Sequence, residues 1–312
     1  MTRMDLPDLT VGWLGTGHMG AAMAARLGAA GLDLTVWNRT RSKAEALIAC
    51  GAKVADEPVE LADRDVVFVM VSASADLEEV VGRLLADPDR APRTIVDCST
   101  VSTEASVWAR AACAARGAAF LAAPVSGNGR VVRAGMVSLI CSGPREAFDE
   151  LLPVLELLGR HVTYVGDGEH ARLVKICHNV FLGVVAQNLA EITVLAEKGG
   201  VPRAALLDVI NNSVMGSVFS RYKTPAFVQL DFTPTFTPVL LRKDFDLGAR
   251  AADELGVPMP VAAAAREAVQ AAIAQGRTAE DFAVLLELQA AASGLQLVAE
   301  DTPVDDGLGG DA

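Results

Sequence analysis

Thr10-Val11-Gly12-Trp13-Leu14-Gly15-Thr16-Gly17-His18-Met19-Gly20 runs from a β-prone stretch through three spaced glycines straight into a helical segment, Ala21 to Leu27. Glycine at 15 permits a tight turn, at 17 close approach of backbone to a pyrophosphate, and at 20 close packing of helix on strand, while the helix N-terminus attracts phosphate charge. A glycine-rich turn that only packs a helix on a sheet is the alternative. The placement between strand and helix near the N-terminus favours dinucleotide binding through Gly15, Thr16, Gly17, His18, Met19 and Gly20. At the end of the next β-prone run, where an acid usually meets a ribose 2′-hydroxyl, the chain has Asn38-Arg39-Thr40, followed by Arg41. A carboxylate there would repel a 2′-phosphate, whereas an arginine attracts one and bonds it with several N–H donors. The spacing therefore predicts NADP(H), against the plainer reading of two solvated arginines after a strand.

Working outward, short β-prone runs alternate with helical patterns at Thr10 to Leu14, Leu34 to Asn38, Val66 to Val71, Thr94 to Cys98, Ala119 to Val125 and Val137 to Cys141. This rhythm implies βαβ units and a mainly parallel sheet. A helix over about Arg145 to Leu158 and an extended piece at Val162 to Val165 follow, and from Ala171 every periodic segment has helical spacing. The expected division is a sheet domain over 1–166, a helical domain over 167–300, and a solvated, disordered tail over 301–312, which is acidic and glycine-rich.

The composition narrows the function classes. A net charge of −12 disfavours nucleic acid and anionic membranes as general partners. The long apolar run after Leu173 is interrupted by Lys175, His178, Asn179, Gln187 and Asn188, so no stretch reaches the about 18 uninterrupted apolar residues of a membrane span. Met1 to Leu9 lacks the apolar stretch of a signal peptide, and Cys50, Cys98, Cys113, Cys141 and Cys177 form neither a CxxC pair nor a metal-ligand spacing. A cytoplasmic protein with reduced thiols and no metal is expected.

Lys175 and Asn179 lie one helical turn apart on that apolar run, so both project from one face. A helix hydrophobic almost all round is normally buried, and a lysine whose pKa falls on burial is an acid/base catalyst. The alternative is a lysine snorkelling at a helix end. Asp97-Cys98-Ser99-Thr100 and Ala123-Pro124-Val125-Ser126-Gly127-Asn128 end strands whose loops line the ligand crevice of a doubly wound sheet. Ser126 and the amides of Gly127 and Asn128 suit a carboxylate, although an ordinary Ser-Gly turn reads the same way. His161, His170 and His178 form no metal-ligand pair and read as structural.

With VGWLGTGHMGAAMAARL, VWNRTRSKAEAL, VDCSTVS, APVSGN, VGDGEHARLVKICHN and LLRKDFDLG in this order over residues 11–247, the chain resembles the β-hydroxyacid dehydrogenase family, which includes 3-hydroxyisobutyrate dehydrogenases and tartronate semialdehyde (glyoxylate/succinic semialdehyde) reductases. The resemblance implies a Rossmann-like doubly wound domain followed by an all-helical domain used in dimerisation, with homodimers or homotetramers expected. It matches Lys175 to the catalytic lysine and Asn179 to the substrate-side asparagine. Ser126 and Gly127 match the substrate turn, Thr100 a residue near both cofactor and substrate, and Lys243 a lysine reaching toward the cofactor. Asn128 and Ala122 depart from the family's usual glycine and acid, as do Glu169 and Ala171, with His170 between them, from its glycines before the lysine. These changes leave the chemistry in place and bear on substrate choice, with Asn128 expected to add an amide to the pocket rim and His170 to sit at its mouth.

The activity implied is hydride transfer between NADP(H) and a short β-hydroxy carboxylate or its semialdehyde, with Lys175 exchanging the proton at a pKa brought down to about 7 to 8. Two rivals are a non-catalytic NADP(H)-binding scaffold or sensor and an imine reductase-like enzyme. The presence of Lys175 and the Ser-Gly turn weighs against both.

Overall fold

The computed structural model describes residues 9–308; the N-terminal segment before Leu9 and the last four residues of the expected tail lie outside the described residues. Packing divides the chain into two compact units, the first ending at Lys175 and the second beginning at Ile176.

The first unit alternates strands and helices. They are β1 (Thr10–Leu14), α1 (His18–Ala29), β2 (Asp33–Trp37), α2 (Arg41–Glu45), β3 (Lys53–Val54), β4 (Val66–Val69), α3 (Ser74–Leu84), β5 (Thr94–Asp97), α4 (Thr103–Ala114) and β6 (Ala119–Ala122). Six strands form one parallel sheet in the order β3-β2-β1-β4-β5-β6. β4 and β5 are buried along their whole length and β1 nearly so, as expected of a parallel sheet covered on both faces. The strand order reverses between β1 and β4, the place where a doubly wound sheet receives its ligand at the carboxyl ends of the strands.

The run Ala119 to Val125, expected as one strand, is two. β6 stops at Ala122, and β7 (Val125–Ser126) joins β8 (Ser138–Cys141) and β9 (His161–Tyr164) in a second sheet. Pro124 explains the break, since it has no N–H to donate to a ladder. Its carbonyl instead accepts from the Ile140 amide. The expectation that Val137 to Cys141 belongs to the main sheet is corrected accordingly, with a single bridge from Ala122 to Ser142 linking the two sheets. Helices α5 (Gly129–Arg133) and α6 (Arg145–Leu158) complete the layer.

A continuous helix, α7 (His170–Lys198), runs from the first unit into the second. The expected boundary at Gly166 differs from the packing division because the first turn of α7 belongs to the sheet unit, where Ala171 joins the core. By length and composition α7 could cross a membrane. It behaves instead as a core helix: Ile176, Val180, Ala186, Leu189, Ala190 and Val194 share a hydrophobic cluster with Leu241, Phe245, Val269 and Leu286. The other helices of the second unit are α8 (Arg203–Asn212), α9 (Val218–Gln229), α10 (Pro238–Leu255), α11 (Pro260–Ala274) and α12 (Leu285–Ala292).

Residues 301–308 of the expected tail carry no helix or strand, and the segment just before them docks on the second unit. Arg203, fully buried, donates to the carbonyls of Phe227, Val228 and Val298 and pairs with Glu197, while Glu300 accepts from the Arg203 and Ala204 amides at 2.7 and 3.1 Å. Glu300 thus supplies a carboxylate to the free N–H groups that begin α8. This docking leaves no apolar period in the sequence because it is made of polar bonds.

Candidate active site

The glycine turn is tight for reasons visible atom by atom. Gly15 has φ +94°, and a Cβ there would stand 2.2 Å from the Met70 carbonyl oxygen; one on Gly20 would stand 2.0 Å from the Gly15 carbonyl oxygen. Neither position admits a side chain. Gly17, by contrast, faces open space and sits at the N-cap of α1 with no side chain capping the helix. The first N–H groups of α1 therefore carry no side-chain acceptor, and the buried Thr16 hydroxyl has no hydrogen-bond partner among the described residues. Uncapped donors, an orphaned hydroxyl and an open Cβ position fit a pyrophosphate. His18 is exposed and Met19 half-buried in the first turn of α1.

Asn38 joins this turn to the end of β2. Its Oδ1 accepts from the Thr16 amide at 2.9 Å and its Nδ2 donates to the Thr40 carbonyl at 2.9 Å, so one side chain fixes both loops. Arg39 projects outward and pairs with Asp76 at 2.8 Å and Glu79 at 3.0 Å, while Arg41 pairs with Glu45 and Asp56. The guanidinium expected to meet a 2′-phosphate thus rests against two carboxylates of α3, which a bound phosphate would have to replace. Asp76 and Glu79 were not singled out in the sequence, because their proximity to Arg39 depends on packing across the switch point.

Thr100 follows β5 in a loop held by Ser99, whose Oγ accepts from the Val71 amide at 2.9 Å and whose amide donates to Asp97 at 3.0 Å. The loops after β4 and β5 are therefore tied together. Gly127 adopts φ +140°, and a Cβ there would press on Val131 and Val137, so the Ser126-Gly127 turn needs its glycine. Asn128 has a use the sequence reading did not foresee: its Oδ1 accepts from the Arg130 and Val131 amides at 3.0 and 3.1 Å and caps α5. Asparagine is among the best N-cap residues, which accounts for its presence where a second glycine is usual.

Lys175 is 7% exposed, which weighs against a snorkelling surface lysine. Asn179, one turn on, is equally buried; its Nδ2 donates to Asp244 Oδ2 at 2.6 Å and its Oδ1 lies 3.0 Å from His178 Nδ1. The carboxamide can accept only if His178 carries its proton on Nδ1. Asp244, on α10, is buried, and Lys243 beside it is half-buried. His178 and Asp244 are the partners that sequence reasoning missed. The sequence reads His178 as structural, and Asp244 stands next to Lys243 with no spacing that ties it to Asn179. His170 is exposed, with its ring against Gly166.

Burial pushes the Cys113 and Cys141 thiols up to about 12, so they are unreactive at neutral pH, while Cys177 is exposed on α7. A cavity of about 630 Å³ lies in the second unit, lined by Asp208, Asn211, Arg221 and the C-terminal segment. It holds none of the candidate site residues and is distinct from the chemistry they suggest.

Residues 10–166 match the family described as the NAD binding domain of 6-phosphogluconate dehydrogenase, and residues 168–289 the family described as the NAD-binding region of NADP-dependent 3-hydroxyisobutyrate dehydrogenase. Glyoxylate/succinic semialdehyde reductase 1 of Arabidopsis thaliana is 32% identical over 89% of this chain and 98% of its own length. The human cytokine-like nuclear factor N-PAC is 30% identical over 89% of this chain but only 51% of its own. Among solved structures, 3-hydroxyisobutyrate dehydrogenase of Mycobacterium tuberculosis with L-serine superposes with a TM-score of 0.79 at 27% identity, covering 90% of this chain and 98% of that one.

Proposed function

Since the chain belongs to the β-hydroxyacid dehydrogenase family of NAD(P)-binding oxidoreductases, we propose that it is an NADP-dependent enzyme interconverting a short β-hydroxy carboxylate and its semialdehyde, with Lys175 as the proton carrier. The observation that carries this reading is the burial of Lys175 one turn before Asn179, itself held by Asp244.

The bound nicotinamide supplies or takes up the hydride. The protein's residues do the rest. Gly15 to Gly20 and Thr16 receive the pyrophosphate, Asn38 fixes that turn, and Arg39 with Thr40 meets the 2′-phosphate. Lys243 reaches toward the cofactor and Thr100 toward both ligands. The Ser126 hydroxyl and the amides of Gly127 and Asn128 hold the substrate carboxylate, which orients the hydroxyl-bearing carbon. In oxidation, Lys175 takes the hydroxyl proton as its neutral amine; in reduction, its ammonium returns a proton to the carbonyl oxygen. Asn179 positions the lysine or the reacting oxygen. Exposed Phe181 and Leu195 on α7 and Val209 on α8 support assembly into a homodimer or homotetramer through the helical unit.

Likeness to a protein whose name is that of a nuclear factor and not of an enzyme leaves room for a second reading, cofactor binding without turnover. The deciding experiment is NADP⁺ reduction at alkaline pH with a panel of β-hydroxyacids, including 3-hydroxyisobutyrate, glycerate, γ-hydroxybutyrate and serine, using wild type and Lys175→Ala. The dehydrogenase reading expects at least one substrate and a loss of about 10²-fold or more in kcat on Lys175→Ala, with NADPH binding retained. A flat response across the panel supports the second reading, and activity of Lys175→Ala within about threefold of wild type removes the lysine from its role.

A further inference from the structure

Arg172 lies one turn before Lys175 on α7 and is 2% exposed; Asp97, at the end of β5, is fully buried. A buried guanidinium is costly unless its donors and charge are matched. Here they are matched from three directions within the first unit. Arg172 pairs with Asp97 through one terminal nitrogen, donates to the Ser99 carbonyl through the other, and donates from Nε to Ser106 Oγ on α4 at 3.1 Å. Asp97 in turn accepts from the Ser99 amide, and Ser99 Oγ accepts from the Val71 amide. One cluster thus fixes the loops after β4 and β5, the latter leading into Thr100, together with the first turn of α7.

A buried ion pair seldom stabilises more than a well-packed apolar pair of the same volume, so its use here is better explained by the geometry it specifies. A planar fork with three fixed acceptors sets the rotation of a helix about its axis as well as its depth. We propose that the buried Asp97–Arg172 pair is a positioning device that sets Lys175 against the Thr100 loop. The inference rests on the reading of Lys175 as the proton carrier. It also accounts for the departures in this approach, where Glu169 pairs with Arg110 and Arg110 donates to the Gly168 carbonyl: side-chain clamps replace a glycine-rich turn.

The charged and titratable groups of the first unit about this turn are Asp97, Arg172, Glu169, Arg110 and His170; further along α7, within the second unit, Asn179 lies against His178 and is bonded to Asp244, which follows Lys243 in sequence. Removing one member of the Asp97–Arg172 pair leaves the other's charge uncompensated near Lys175, and the two removals differ in sign. Asp97→Asn leaves a cation, which disfavours the ammonium; Arg172→Met leaves an anion, which favours it.

The test uses the full chain, NADPH binding by fluorescence, and pH profiles of kcat and kcat/KM with the best substrate of the panel for Arg172→Lys, Asp97→Asn, Arg172→Met, Ser106→Ala and Lys175→Ala. Arg172→Lys is expected to bind NADPH within about threefold of wild type and lose about tenfold or more in kcat, with a smaller change in KM. The kinetic pKa assigned to Lys175 should move down in Asp97→Asn and up in Arg172→Met, by about half a unit or more. A role confined to stability lowers Tm and moves neither pKa. Should either charge variant not fold, Arg172→Lys and Ser106→Ala decide by kcat and pH profile. The inference is overturned alone if Lys175→Ala is inactive while the folded variants keep wild-type kcat and pH profiles. Activity in Lys175→Ala overturns the lysine reading, and this inference with it.

Discussion

Asn179 donates to Asp244 Oδ2 at 2.6 Å across the packing of α7 on α10, with both side chains buried. The carboxylate fixes which end of the carboxamide faces α10 and leaves Oδ1 toward His178 Nδ1. Asp244→Ala should therefore free Asn179 to rotate. Loss of a hydrogen bond to a charged group should cost about 1.5–3 kcal/mol of stability, read from denaturant unfolding. The same variant should lose about tenfold or more in kcat while NADPH binding persists. Wild-type kcat in a folded Asp244→Ala protein would show that Asn179 needs no such support.

Acid should weaken the helical unit through Asp281. Burial pushes its carboxyl up, but the Lys223 ammonium at 2.6 Å, the Thr235 hydroxyl and the Ala283 amide outweigh that and hold it below its ordinary value of 3.8. A carboxylate depressed in the folded state contributes stability that is fully present above its unfolded pKa and is lost as pH falls through the folded one. The loss should begin below about pH 4 to 5 and deepen further into acid. Asp281→Asn should be less stable at pH 7, and the gap to wild type should narrow at pH 3. An unchanged gap in urea melts at the two pH values would contradict the assignment.

The C-terminal segment should be part of the folded unit through Glu300. Truncation before Leu297 removes the Val298 carbonyl from Arg203 and the Glu300 carboxylate from the start of α8, leaving a fully buried guanidinium short of partners. A loss on the order of 3 kcal/mol is expected, as for breaking one side of a buried charged network. Truncation after Leu308 should be close to neutral. Equal Tm values for the two truncations would show that Val298 and Glu300 add nothing to the folded unit.

The main sheet was legible because its strands are long enough to show a pattern and are punctuated by turns. β3 and β7, of two residues each, carry no period. The glycine turn was legible because each glycine answers a local steric demand. Lys175 and Asn179 were legible because polar residues stand out on an apolar helix. Their supports were not: Arg172 meets Asp97 across 75 positions, and Asn179 meets Asp244 across 65. No local spacing encodes such pairs. Asn128 was legible as a departure but not as a cap, since the short helix it begins has no periodicity of its own.

Cofactor choice should depend on Arg39 together with the acids beside it. Arg39 is exposed, with its side chain drawn to Asp76 and Glu79 on α3. A 2′-phosphate offers the guanidinium a stronger partner than either carboxylate, but the two acids remain close and repel it. Arg39→Ala should weaken NADP(H) binding by roughly tenfold or more and leave NAD(H) nearly unchanged. Asp76→Asn and Glu79→Gln should act in the opposite sense, tightening NADP(H) selectively because they release Arg39 and remove negative charge. The Asp76→Asn effect should shrink as ionic strength rises, since Arg39 is exposed and Asp76 only half-buried, so salt screens the pair. Dissociation constants for both cofactors, measured by fluorescence at two salt concentrations, separate the contributions. Equal losses for NADPH and NADH in Arg39→Ala would place Arg39 away from the 2′-phosphate, and Asp76→Asn would then be expected to change neither affinity.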